Sequence, residues 1–101
     1  MSIKIGTYTG TGAVVTVALG FVPDYIQIIN ATDGDIASIF FNGMTADTSF
    51  DIGAAAITNA ANGITVYAGD TATDAVAGFQ VGTDMSESAK VYYYVAARSD
   101  Q

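Results

Sequence analysis

Carboxylates are the most numerous charged groups in this chain: ten Asp and Glu stand against three Lys and Arg, with no His. Two carboxylates converging on one bond, one held protonated, can hydrolyse a glycoside. Asp24, Asp33, Asp35, Asp47, Asp51, Asp70, Asp74, Asp84 and Glu87 lie mostly beside Gly, Thr or Ser. In that company Asp builds turns by bonding the nearby backbone, so the structural reading outweighs the catalytic one. Asp33-Gly34-Asp35 and Asp70-Thr71-Ala72-Thr73-Asp74 crowd oxygen ligands as a calcium loop does. Neither has the alternating acids and closing Glu of an EF-hand, and solvated turns are the better reading. Gly10-Thr11-Gly12 lacks the Gly-Lys-Ser/Thr ending and the following helix that would make it a phosphate cradle. Without His or Cys the chain has no neutral-pH base of the usual kind, no thiolate and no Cys/His metal site. The expectation is a protein with no catalytic residue, no metal and no cofactor.

Charge narrows the partners. A net charge of −7 and a pI near 4.1 oppose contact with phosphates or anionic lipid surfaces. Lys4, Lys90 and Arg98 cannot form a basic patch that would grip nucleic acid. The N-terminal residues show no apolar stretch of the signal-peptide type, and no apolar run is long enough to span a bilayer. The expectation is a soluble protein made in a cytoplasm, with neither a nucleic acid nor a membrane as partner.

Tyrosine supplies the other functional candidates. On residues 90–98 the odd positions Val91, Tyr93, Val95 and Ala97 read as core. The even positions then place Lys90, Tyr92, Tyr94 and Arg98 on one outward face. Aromatic rings with a polar tip, flanked by cations, suit a surface that is wet alone and dry when paired. These four residues are the partner-binding candidates. The competing reading has the two rings capping a small core, with the charges at its edge.

Strands must position these groups, because the dominant pattern has a period of two. Val15, Val17 and Leu19 alternate with Thr16 and Ala18; Ile26 and Ile28 alternate with Gln27; Phe79 and Val81 flank Gln80. With residues 3–9, 36–42, 64–68 and 90–98 this makes about seven or eight strands, separated by clusters of Gly, Asp, Asn and Thr. Residues 9–12 read as a hairpin loop between the first two strands, and Thr32-Asp33-Gly34-Asp35 and Asn42-Gly43 as further turns. Residues 51–63 read either as a short helix ended by Asn62-Gly63 or as a loop with one strand. Half the residues are apolar and 13% are charged, so a packed core is feasible. The fold expected is all-β: one small antiparallel β-sandwich or jelly-roll-like barrel over residues 1–101. Apolar edges in so small a domain invite burial in an oligomer.

Three local patterns carry a resemblance. Gly6-Thr7-Tyr8-Thr9-Gly10-Thr11-Gly12 is followed by Gly20-Phe21-Val22-Pro23-Asp24, and Gly78-Phe79-Gln80-Val81-Gly82-Thr83 precedes Val91-Tyr92-Tyr93-Tyr94-Val95-Ala96. The arrangement resembles a module of bacteriophage virion proteins, found in tail-fibre tips and small capsid-associated proteins. The resemblance implies a structural role, an all-β fold and homotrimers. It makes Gly20, Phe21, Pro23, Asp24, Gly78 and Phe79 fold-defining turn residues. The short chain resembles most a capsid decoration (cement) protein, bound to the major capsid protein on the shell exterior. A receptor- or carbohydrate-binding module of a tail tip is the alternative.

Overall fold

The computed structural model describes residues 2–34, 37–52 and 57–99, with the backbone alone of 57–61. The fold is all-β. Among the described residues nine strands follow one another: β1 (Ser2–Thr9), β2 (Val15–Ala18), β3 (Tyr25–Asn30), β4 (Ala37–Phe41), β5 (Thr48–Ile52), β6 (Ile57–Ala61), β7 (Ile64–Tyr67), β8 (Gly78–Val81) and β9 (Val91–Arg98). One 3-10 turn, Thr83–Met85, lies between β8 and β9. The strand order is β1-β9-β3-β4-β5-β7-β8-β2, with β6 paired to β5, and the strand pairings are antiparallel.

β1 and β2 are consecutive in the chain yet stand at opposite ends of this order. The sheet therefore curls into a nearly closed barrel whose two ends meet near residues 10–14. The loop between them is fastened to the β8–β9 connection by Gly12 N–H donating to Ser86 O (2.6 Å) and Thr11 N–H to Ser86 Oγ (3.0 Å). This corrects the hairpin expected at residues 9–12. Glycine-rich loops serve crossovers as well as hairpins, and β1 pairs with β9 while β2 pairs with β8.

The helix considered for residues 51–63 is also replaced. β5 runs to Ile52 and β6 pairs back along it, from Thr48↔Ala61 to Ile52↔Ile57. Ala54-Ala55-Ala56 lies outside the described residues. Asn62, at φ 54°, then turns the chain into β7.

The alternating pattern sets the core. Val17, Leu19, Ile26, Ile28, Phe40, Ile64, Phe79 and Val81 are buried, together with Met85, Tyr92, Tyr94 and Ala96. Phe79 on β8 meets Tyr94 on β9 edge-on, with centroids 5.3 Å apart, so opposite walls of the barrel touch through their rings. Gly78 is a strand residue pairing with Ala18 and Tyr67, and Phe79 is fully buried beside it. Neither is the turn residue that the resemblance implied. A Cβ at Gly78 would fall on the carbonyl oxygen of Val17, so close backbone approach is what requires glycine there.

The corner Gly20–Asp24 is a turn. Gly20 has φ +90°, and its N–H and that of Leu19 both donate to Ala77 O (2.9 Å each). Phe21 packs half-buried against the core and Pro23 is buried. Asp24 N–H donates to Ala97 O (2.7 Å), while its carboxylate accepts the Ser99 N–H (2.8 Å). These four residues carry the chain from the β8 wall to the β9 wall.

Candidate functional site

The expected partner-binding residues do not share one outward face. Tyr92 and Tyr94 are 3% and 7% exposed, whereas Tyr93 is 55% exposed. The inside and outside of β9 are thus reversed from the sequence reading. An inward row runs Gly6–Tyr94–Ile28–Ser38 across β1, β9, β3 and β4. Gly6 makes room for the ring: a Cβ there would lie 2.7 Å from Tyr94 Oη. Tyr8 covers Tyr92 in a parallel stack and donates to Met85 O (2.9 Å). The Tyr92 hydroxyl accepts the Glu87 N–H (3.1 Å). Burial holds all three phenols above the ordinary tyrosine range, with neighbouring Tyr92 adding to the effect on Tyr8.

Lys90 lies just before β9 and forms an ion pair with Asp33 at 2.8 Å. The shared hydrogen bond raises the Lys90 pKa and lowers that of Asp33. Arg98 is exposed at the far end of β9, opposite Ser2. The two cations therefore sit at opposite ends of the strand and do not flank an exposed aromatic pair.

Two surfaces remain as candidates. The first is a polar cavity of about 80 Å³ lined by Asn30, Ser38, Asp51, Asp84, Glu87 and Tyr92, with Ile28 and Met85 at its apolar side. Asp51 accepts from Ser38 Oγ (2.9 Å) and Ser49 Oγ (2.8 Å). The Asn30 amide donates to Asp33 (3.1 Å) and Glu87 (3.4 Å), while its oxygen accepts the N–H groups of Thr32 and Asp33. Hydrogen bonds within the chain occupy Asn30, Ser38 and Asp51, tying β4 to β5 and β3 to its following turn and to Glu87. Among the described residues, no three His, Cys, Asp or Glu side chains group closely enough to hold a metal ion. Asp33 is engaged by Lys90 and Asn30, and Asp35 lies outside the described residues. Asp70 accepts the Ala72 N–H (2.9 Å) in its own turn.

The second surface is the outer face of the sheet. Three rows cross it: Ile5–Val95–Gln27–Ile39–Phe50, Thr7–Tyr93–Ile29–Ala37–Ile52, and Ile3–Ala97–Tyr25–Phe41. None of these side chains is charged. Ile5 is 75% exposed and Ile3 57%; Ile29, Phe41, Phe50 and Ile52 are also exposed. A shallow groove of about 210 Å³ crosses its centre, lined by Gln27, Ile29, Tyr93 and Val95. Comparison with known proteins yields no match: no family model, no curated protein and no solved structure resembles the chain.

Among the described residues, no strand pairs with the β1 border of this face on the side away from β9. Gly10 N–H donates to Lys90 O (2.8 Å), and Ala31 N–H on the other side of β9 donates to Val91 O (2.8 Å). In an antiparallel ladder this phase directs the even residues of β1 toward β9 and the odd ones outward. Ile3, Ile5 and Thr7 therefore present main-chain N–H and C=O groups to solvent along with exposed side chains.

Sequence reasoning missed the outer face because it assigned one apolar parity to each strand. The signal was present as adjacent apolar pairs: Ile28-Ile29, Phe40-Phe41 and Tyr92-Tyr93. A strand apolar at both parities is buried on both sides, or waits to be.

Proposed function

We propose that this chain is a non-enzymatic structural protein of a bacteriophage virion: a capsid decoration protein that binds the shell exterior, made of major capsid protein, and acts as a homo-oligomer. The observation that carries this reading is the uncharged, apolar outer face across β1, β9, β3, β4 and β5. A contiguous apolar face is where a soluble protein often carries a binding surface, and a subunit of an assembly gains by covering it. The virion assignment draws on the Gly20-Phe21-Val22-Pro23-Asp24 and tyrosine-strand patterns described above. The acidic surface suits the outside of a nucleic-acid-filled shell better than its inside. A decoration protein that binds assembled shell and not free capsid subunits stabilises the shell by mass action.

The test is co-sedimentation of the purified chain with empty shells of its own phage. Saturable binding at a ratio set by the lattice, with shells more resistant to heat, supports the proposal. Soluble protein that leaves the shells unbound overturns it. One feature favours a tail-tip receptor-binding module as the second reading: Tyr93 and Phe41 are half-exposed aromatics that a sugar could stack on. Binding on a glycan array without shell binding would select that reading.

A further inference from the structure

The outer face has a charge distribution that bears on what covers it. The chain carries a net charge of −7, yet the three rows crossing the face contain no Asp, Glu, Lys or Arg. A basic partner would be recognised by carboxylates, and here they lie elsewhere, on the turns and around the polar cavity. Two copies of an acidic chain repel one another except where a face without charges lets them touch.

Size agrees with this. Five strands about 4.8 Å apart, crossed by three rows about 6.8 Å apart, give a face of roughly 500 Å². Covering it on two copies removes about 1,000 Å² from water, where specific interfaces begin. Shape agrees as well: β-sheet faces pack on one another about 10 Å apart by interdigitating side chains, and the groove between Ile29, Tyr93 and Val95 offers a recess for a side chain from the other copy.

We infer that a second copy of this chain covers the outer face, with Ile29 and Tyr93 beside the central groove and Ile5 at the β1 border of the contact. The inference rests on reading that face as an assembly interface and adds the identity of its occupant. Association should strengthen with added salt, because screening weakens the repulsion between acidic subunits while the contact itself holds no ion pairs.

The experiment is the mass of the full chain by light scattering across a range of concentrations, at low and moderate salt. Wild-type protein is expected at a multiple of 10.4 kDa. Ile29→Asp and Tyr93→Asp are each expected to reduce it to the monomer mass, with unchanged circular dichroism. Val14→Asp, at an exposed site off the face, should leave the oligomer intact. A wild-type monomer at every concentration overturns the inference, as does an oligomer that survives both face substitutions in folded protein. Shell binding is scored separately. An oligomer broken by these substitutions that ignores shells keeps this inference and removes the decoration reading; a monomer that binds shells does the reverse.

Discussion

The rings of Tyr8 and Tyr92 lie parallel within 5°, with centroids 5.0 Å apart. They occupy directly opposed positions on β1 and β9, and Tyr92 pairs in turn with Asn30 on β3. The stack fastens the border strand to the sheet interior. The Tyr8 hydroxyl extends the link to Met85, the last residue of the 3-10 turn that leads from β8 toward β9.

Alkaline pH should loosen this arrangement. Burial raises the pKa of Tyr8, Tyr92 and Tyr94 in the folded protein, whereas an unfolded tyrosine titrates near 10. A raised folded pKa means the stabilisation is fully present below about pH 10 and is lost as pH rises beyond it, because the unfolded chain ionises first. Tyr8 alone should remove about 1.4 kcal/mol per pH unit above that point. Urea unfolding followed between pH 8 and 11.5 checks this, with tyrosinate absorbance as the second readout. A stability that stays flat to the top of that range would contradict the burial of these phenols.

The two faces of β9 can be told apart by substitution. Tyr92→Ala should cost about 3 kcal/mol or more, since it opens a cavity beneath Tyr8. Tyr93→Ala should change the stability of the isolated monomer by no more than about 0.5 kcal/mol. Equal losses, measured by denaturant unfolding in dilute solution, would mean the strand is turned the other way.

Ala89 and Gly78 should respond in opposite directions. Ala89 has φ 66°; its N–H donates to Gly10 O (3.0 Å) while Gly10 N–H donates to Lys90 O. This is a β-bulge whose left-handed position normally holds glycine. Ala89→Gly should therefore stabilise the protein by about 0.5–1 kcal/mol. Gly78→Ala should destabilise it by at least about 2 kcal/mol, because the new methyl collides with Val17 O. Thermal melts of both variants test the pair.

Asp51 holds two serine hydroxyls, and Ser49 is fully buried. Asp51→Ala leaves both without that acceptor and should cost about 1–3 kcal/mol. Asp51→Asn keeps an acceptor and should recover much of the loss. Hydrogen exchange at β4 and β5 would show the same order.

Much of the architecture was legible one strand at a time. The period of two in Val15–Val17–Leu19, Ile26–Ile28 and Phe79–Val81 marks strands, and the inward residues of those strands follow from it. The turn at Gly20–Asp24 was legible because positive φ and a rigid proline leave strong local signatures. These properties are local, set by which side chains alternate and which backbone angles a residue tolerates.

Partnership and facing needed the tertiary structure. The same Gly10-Thr11-Gly12 could close a hairpin or begin a crossover. Only the pairing of β1 with β9 and β2 with β8 decides, because those contacts join residues far apart in the chain. Val91-Tyr92-Tyr93-Tyr94-Val95 is apolar or amphipathic at every position, so a shift of one residue exchanges its faces at little local cost. Gly6 opposite Tyr94 and the stack of Tyr8 on Tyr92 settle which rings turn inward. With those rings inside, Tyr93 and Ile5 turn outward, and the charge-free face emerges from rows drawn from five strands that no local stretch of sequence brings together.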